Sequence, residues 1–300
     1  MFIGIVSGLL AAVCNSAGYL FNARFLLYYK SPWRLLITSS VIMMLISIPL
    51  LAIFFPWGVM GANWRFWLQA VLTGGVFFFG QWGFFGALKH AEASRVAPLL
   101  GLKIAVISIF FLLGGNSLNL LQIIALFTAT FAALLCNWAG DFRIPVKAWL
   151  FISVTLCSYC MVDILEIDLI MQLERCTSWS RTRSALVTVP AMYTVVGALA
   201  VPGIFILKPQ KDEYVKAAPY GLLWIMAQFG IFCCFAFLQP VFGNVILATR
   251  GVWSVVIGAI LPFFGLAALD SKLSAMRWVQ RGVAAALMAG AIALYSFASL

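Results

Sequence analysis

Residues 33–55 read WRLLITSSVIMMLISIPLLAIFF, from Trp33 to Phe55, and this stretch decides the class of the protein. No charged side chain follows Arg34 before its end. At about 1.5 Å per residue, a helix of about 20 apolar residues crosses about 30 Å of hydrocarbon. The whole chain resembles this stretch, because 64% of its 300 residues are hydrophobic and only 9% are charged. A soluble domain carries about a quarter charged residues, so we expect an all-α integral membrane protein.

Ten stretches of this kind follow one another, joined by short connections. They are Phe2–Phe21, Trp33–Phe55, Phe66–Leu88, Val96–Gly114, Leu118–Trp138, Ala148–Ile167, Ala185–Leu207, Pro219–Leu238, Asn244–Phe264 and Val279–Phe297. No connection is long enough to form a soluble domain, so we expect function to lie among the helices. No cofactor or metal is expected, because His90 is the only histidine and the chain lacks a G-x-x-x-x-G-K-[ST] phosphate loop.

The net charge of +10 does not indicate a nucleic-acid partner. The 19 Lys and Arg residues stand singly at the ends of apolar stretches, with no stripe that could follow a phosphate backbone. Such residues are typical topology signals beside an anionic membrane leaflet. We therefore expect the lipid bilayer, and not a nucleic acid, as the partner of this charged and apolar surface. We also expect a multi-pass protein of a bacterial inner (plasma) membrane.

A shift of about 150 residues relates the two halves of the chain. Ala93–Ile107 then lies over Gly243–Ile257, with Gly101 on Gly251 and Val106-Ile107 on Val256-Ile257. The fourth predicted span falls on the ninth, and five spans per half place the second half upside down in the membrane. The sequence thus predicts ten transmembrane helices in two inverted five-helix repeats, residues 1–140 and 141–300, within one membrane domain.

With this layout, the chain resembles the drug/metabolite transporter superfamily over essentially its whole length. The resemblance also rests on three further segments. These are Ala87-Leu88 through Ala93-Ser94-Arg95-Val96-Ala97, Phe110-Phe111-Leu112-Leu113-Gly114-Gly115, and Leu273-Ser274 followed by Gly282 and Gly290. Members that carry phosphorylated sugars or nucleotide-sugars hold phosphate with cations on their fourth and ninth helices. The resemblance implies this role for Lys103 and Arg250.

Lys103 and Arg250 also stand out on physical grounds. An ionisable residue within a span costs at least ~2.5–3.5 kcal/mol, so it normally faces a cavity or a partner. The two residues fall in equivalent parts of the fourth and ninth spans, and Trp253 overlies Lys103 in the repeat. They could line a midplane cavity and capture a phosphate or carboxylate. Alternatively, they could pair with Asp163 or Glu166, or reach the membrane interface.

The first and sixth spans supply polar residues at related places. Tyr159, Asp163 and Glu166 share one helical face of the sixth span. Asp163 could bind an ammonium group, relay a proton or hold Lys103 when the site is empty, whereas we expect Glu166 and Asp168 at the water interface. Further candidates for substrate contact, or for hydrogen bonds between helices, are Asn15 and Tyr19 on the first span, Gln81 on the third and Gln228 on the eighth.

The function that these features predict is secondary transport of a small anionic or zwitterionic metabolite, including phosphorylated ones, by alternating access. An ion gradient or exchange against a counter-substrate would drive it. One alternative is a flippase for a phospholipid or a polyprenyl-phosphate-linked substrate. A membrane-embedded transferase is the other, although no nucleophile–base pair supports it.

The orientation in the membrane is predicted differently by charge and by resemblance. Most Lys and Arg residues lie in the connections after the odd-numbered spans. Because Lys and Arg favour the cytoplasmic side, this count places both termini outside. Relatives in the superfamily usually keep both termini in the cytoplasm. We follow the charges, which are a property of this chain.

Overall fold

A computed structural model describes residues 1–91, 96, 99–137, 145–260 and 275–298. Within these ranges the chain is helical, with one 3₁₀ turn at Leu100–Leu102 and no strand. The helices are α1 (Phe2–Tyr29), α2 (Pro32–Phe54), α3 (Trp57–Met60), α4 (Trp64–His90), α5 (Lys103–Leu113), α6 (Leu120–Asn137), α7 (Val146–Thr177), α8 (Arg181–Leu207), α9 (Lys211–Phe237), α10 (Pro240–Leu247), α11 (Arg250–Ile260) and α12 (Ala275–Ala298). Ala93-Ser94-Arg95 and Leu273-Ser274, which contributed to the resemblance, lie outside the described residues, as does the predicted ninth span beyond Ile260.

Seven of the described helices are long and apolar enough to cross a membrane. They are α1, α2, α4, α7, α8, α9 and the Val279–Ala298 part of α12. Shorter apolar helices, Leu100–Leu113 and Leu120–Leu135, occupy the predicted fourth and fifth spans. The predicted ninth span is not one helix but two, α10 and α11. The protein is therefore an all-helical, multi-pass integral membrane protein.

Several helices extend beyond the apolar stretch that predicted them. Helix α1 reaches Tyr29, whereas the first predicted span ends at Phe21. Helix α7 reaches Thr177, whereas the sixth predicted span ends at Ile167. Helix α9 begins at Lys211, whereas the eighth predicted span begins at Pro219. Hydropathy marks the part that lies in lipid, whereas a helix ends where the backbone changes conformation. Both C-terminal extensions end at a residue with positive φ, 50° at Lys30 and 54° at Ser178.

Large apolar side chains cover the outside of the bundle. Examples that are more than half exposed come from helices throughout the chain: Leu10, Leu45, Phe79, Leu113, Phe127, Phe205 and Met226. Exposed apolar surface on this scale is expected where lipid, and not water, contacts the protein.

The most extensive helix contacts form four pairs: α1 with α9, α2 with α8, α4 with α7, and α6 with α12. Glycines permit two of these approaches. A Cβ added at Gly83 of α4 would lie 2.7 Å from the Thr155 hydroxyl oxygen of α7, and one at Gly8 would lie 2.8 Å from Cys234 Sγ of α9. The glycines of the last helix are different, because a Cβ at Gly282 or Gly290 would meet no described atom within 4 Å.

The two largest clusters of buried apolar side chains among the described residues lie on either side of the bundle's polar site. The larger joins α1, α2, α4, α7, α8 and α9, and the smaller is centred on α5, α6, α10 and α12. The polar site described below lies where they meet, since Leu100 belongs to the first cluster and Ile104 to the second.

Candidate functional site

A cavity in the centre of the bundle collects most of the predicted site residues. Its wall is formed by Asn15, Tyr19, Phe77, Leu100, Lys103, Ile104, Tyr159, Val162, Asp163, Glu166, Trp224, Gln228, Ile231, Asn244, Leu247, Ala248 and Arg250. The space that the centre of a water molecule can reach is about 60 Å³. At roughly 10–15 Å³ for each water, about four to six waters fill it. The cavity therefore suits a small polar molecule.

Lys103 is the first residue of α5 and follows directly on the 3₁₀ turn. Its Nζ donates a hydrogen bond of 2.8 Å to Asp163 Oδ1 on α7, and the two side chains are only 14% and 5% exposed. The ammonium also lies 5.7 Å from the centre of the Tyr159 ring. Lys103 is thus paired with Asp163, which is one of the alternatives that the sequence left open. The pair lies on the wall of the cavity, where a bound molecule can reach it.

Asn244 completes the environment of Asp163. Its Nδ2 lies 2.5 Å from Asp163 Oδ2 and 2.8 Å from the carbonyl oxygen of Pro240, so the amide connects α7 to the first turn of α10. Sequence reasoning missed this residue, because an asparagine at the predicted start of a span looks like an ordinary helix end. Its position one turn after Pro240 was the available signal.

The helical backbone forms a tighter turn directly before each of the two cations, Lys103 and Arg250. Before Lys103 lies the 3₁₀ turn, and before Arg250 the backbone N–H of Thr249 bonds to the Ile246 carbonyl at 3.0 Å. Such tight turns within a long helical segment often mark a hinge. Neighbouring helices contact both places: Cys160 Sγ lies 3.7 Å from the Lys103 carbonyl oxygen, and Ser16 Oγ lies 2.7 Å from that of Arg250.

Arg250 is the first residue of α11 and is partly buried in the cavity wall. Among the described residues, no hydrogen-bond acceptor or carboxylate pairs with its guanidinium group. Lys103 already has Asp163 as its counter-ion. Of the two cations in the cavity wall, Arg250 is therefore, within the described part of the chain, the one whose guanidinium is available to receive an anionic group from a ligand.

Glu166 corrects a prediction. We expected it at the water interface, but it is 1% exposed and lines the cavity, and its Oε1 has no hydrogen-bond partner in the described part of the chain. The reason is the length of α7, which continues to Thr177 and leaves Glu166 in mid-helix. Asp168 is exposed, and its place at the water interface stays a prediction.

Aromatic side chains form the apolar part of the wall. Tyr159 stacks on Phe77 with ring centres 5.9 Å apart, and Tyr19 meets Trp224 edge-on at 6.2 Å. The Trp224 Nε1–H donates to the Tyr193 hydroxyl oxygen at 3.1 Å, which fixes the indole. Phe77 and Trp224 were not predicted, because with 26 Phe and 11 Trp in the chain no single aromatic residue stands out.

Two predicted residues do not line the cavity. Gln81 is buried one turn further along α4 than Phe77, and its Oε1 lacks a hydrogen-bond partner among the described residues. Trp253 is partly buried on α11 outside the wall. The 150-residue shift placed Trp253 over Lys103, whereas in the structure Arg250 begins α11 as Lys103 begins α5. Asn15, Tyr19 and Gln228 do reach the cavity.

Comparisons with known proteins identify the fold and no more. No protein-family model and no curated protein matches this chain. Solved structures do match, and one of them, a crystal structure, aligns with a TM-score of 0.73 and 15% sequence identity, over 98% of this chain and 96% of that chain. The fold is thus shared over nearly the full length of both chains, and at this identity the likeness carries no information about substrate.

Proposed function

We propose that this protein is a secondary transporter that binds a small anionic or zwitterionic metabolite in the central cavity and moves it by alternating access. It would be a ten-helix transporter of the drug/metabolite kind, with two inverted five-helix repeats, in the inner membrane of a bacterium. One observation carries the proposal: Lys103 and Arg250 each begin a helix after a tightened turn, and both line the same small cavity.

The helix contacts support the inverted repeats. If α1, α2, α4, α5 and α6 form one half, and α7, α8, α9, α10–α11 and α12 the other, each helix has a counterpart in the same order. Exchanging counterparts turns the pair α1–α9 into α7–α4, and leaves α2–α8 and α6–α12 as they are. All four are the extensive pairs of the fold. Both halves also supply cavity residues, as transporters with repeats do at their binding site.

The charges suggest how a substrate is recognised. Asp163 pairs with Lys103, while the Arg250 guanidinium has no partner among the described residues. A phosphate or carboxylate would bind Arg250 through its planar fork of donors and could compete with Asp163 for the Lys103 ammonium. Rearrangement of the Lys103–Asp163–Asn244 contacts would then accompany movement at the two tightened turns.

The cavity size favours a water-soluble substrate over a lipid. About 60 Å³ accommodates a small polar group, and aromatic rings and apolar side chains close the remaining wall. A flippase substrate would need a path for its hydrocarbon chains. Transport of a polyprenyl phosphate, without transport of any soluble metabolite, would favour the flippase instead.

Uptake into proteoliposomes tests the proposal. The purified protein is reconstituted and offered radiolabelled sugar phosphates, nucleotide-sugars, carboxylates and amino acids, with and without the same compound inside. Hydrogen bonds to charged groups contribute about 1.5–3 kcal/mol, so Lys103→Ala and Arg250→Ala should each lower uptake about tenfold or more.

The matched controls are Arg65→Ala and Lys147→Ala, two exposed cations away from the cavity. Both should transport at the wild-type rate. Wild-type rates in Lys103→Ala and Arg250→Ala, with proteins that remain folded by size-exclusion chromatography, would contradict the proposal.

A further inference from the structure

The carboxyl group of Glu166 is a polar group of the cavity wall that the proposed binding of an anion leaves unexplained. It lies in the middle of α7, is 1% exposed, and its Oε1 makes no hydrogen bond within the described ranges. Asp163, three residues earlier on the same helix, has both Lys103 and Asn244 as partners. The two carboxyl groups thus line the same cavity, but Asp163 has hydrogen-bond partners whereas Glu166 Oε1 has none among the described residues.

The ionisable groups that interact with Glu166 come from several helices. They are Asp163 on α7, Lys103 on α5, Tyr193 on α8 and Cys234 on α9, and Arg250 on α11 lines the same cavity. Lys103 already neutralises Asp163 at 2.8 Å. Tyr193 accepts a hydrogen bond from Trp224, and neither a phenol nor a thiol supplies positive charge. Within the described residues, Glu166 therefore has no counter-ion of its own.

A buried carboxylate without a counter-ion is unstable, because the loss of its hydration is not repaid by a partner. A bound proton removes the charge and with it most of this cost. The burial and the missing partner among the described residues therefore favour the protonated, neutral form of Glu166.

We propose that Glu166 is the proton-binding site of this transporter and that proton and metabolite cross the membrane together. This inference rests on the function proposed above. An anion entering beside Arg250 is repelled by a Glu166 carboxylate and not by the neutral acid. Because coupling is reciprocal, a proton on Glu166 favours the anion and the anion favours the proton.

The cycle conserves protons and needs no covalent step. Glu166 takes a proton from water on the side where the cavity is open, and the cavity closes around the neutral acid and the substrate. When the cavity opens to the opposite side, water reaches the carboxyl group, and the proton and the substrate leave there. One turnover thus moves one proton with each substrate molecule.

Infrared difference spectroscopy of the protein in lipid tests the proton without requiring a substrate. The wild type at neutral pH should show the carbonyl stretching band of a protonated carboxylic acid, and Glu166→Gln should lack it. Asp168→Asn is the matched control, since Asp168 lies two residues away on α7 but is exposed, and it should keep the band. Absence of the band from the wild type, or its persistence in Glu166→Gln, would overturn the assignment.

Coupling is tested in proteoliposomes with the metabolites used above. An inward proton gradient should stimulate uptake by the wild type and by Asp168→Asn, and this stimulation should disappear in Glu166→Gln. Stimulation that survives in Glu166→Gln would overturn the coupling. Failure of the wild type to transport any soluble metabolite would overturn both the transport function and the coupling, whereas the infrared band decides the proton site separately.

Discussion

Two ion pairs, one in the central cavity and one in the first two turns of α9, have nearly the same length but different surroundings. Lys103 Nζ lies 2.8 Å from Asp163, with side chains 14% and 5% exposed. Lys216 Nζ lies 2.7 Å from Asp212, with side chains 39% and 60% exposed. Distance alone would rank the two pairs as equal. Their environment gives them different roles, because water screens the outer pair and is largely excluded from the inner one.

The comparison gives a physical basis for the switch that the proposed function requires. Breaking the outer pair returns both charges to water at little cost. Breaking the inner pair leaves a charge buried without a partner, unless another group takes its place. In the proposed transport cycle a substrate anion is such a group, so the inner pair can open when the anion binds.

The largest effect is expected for removal of Asp163. Asp163→Ala leaves Lys103 buried without its counter-ion and should lower the free energy of unfolding by about 3–5 kcal/mol. Unfolding titrations in detergent micelles measure this loss. The double variant Lys103→Met with Asp163→Leu removes both charges and should recover most of the stability but not transport. If the double variant is no more stable than Asp163→Ala, the unpaired charge of Lys103 is not the cause of the lost stability.

An intermediate effect is expected for Glu213, which is 1% exposed at the start of α9. Its Oε1 accepts hydrogen bonds from Arg34 Nη1 and from the Gln210 backbone N–H. Glu213→Gln removes the charge from this contact and should cost about 1.5–3 kcal/mol in the same titration. Transport should continue, because Glu213 does not line the cavity. Loss of stability as large as in Asp163→Ala would mean that burial in the cavity has no special importance.

The smallest effect is expected for the exposed pairs. Lys216→Gln and Arg181→Gln each remove one partner of a solvent-accessible contact, and such pairs contribute about 0–1 kcal/mol. The change should also shrink as salt concentration rises, since ions screen exposed charges. A loss above about 2 kcal/mol in either variant, unaffected by salt, would remove the distinction between the two environments.

Much of the helical architecture could be predicted from hydropathy. Trp33–Phe55 predicted α2 to within one residue at each end. The errors occur where helices continue into polar sequence, as α7 does to Thr177, and where an apolar stretch contains a change of backbone conformation, as between α10 and α11. An average over a window registers how apolar a segment is, but it is insensitive to a tightened turn of two or three residues.

The site could be predicted in part. Lys103, Arg250 and Asp163 were identified because charged residues are rare in apolar spans and costly to bury. Glu166 was misplaced because its distance from the helix end was underestimated, and Asn244 was missed because a neutral amide carries no comparable cost. Trp253 was predicted to line the site because a fixed shift of 150 residues aligns it with Lys103. In the structure Arg250 corresponds to Lys103 instead, because α11 begins at Arg250 after the tightened turn.

The sequence by itself determined that this is a helical membrane protein and that Lys103, Arg250 and Asp163 lie within its apolar stretches, since both follow from local composition and the cost of burying charge in lipid. Only the tertiary structure decided which of these residues meet. Lys103 and Asp163 are separated by 60 positions, and Asn244 and Asp163 by 81. The physical reason is that packing of whole helices assigns the partners of a buried charge. It gave Asp163 two partners and left Glu166 with a buried carboxyl oxygen that has no hydrogen-bond partner among the described residues.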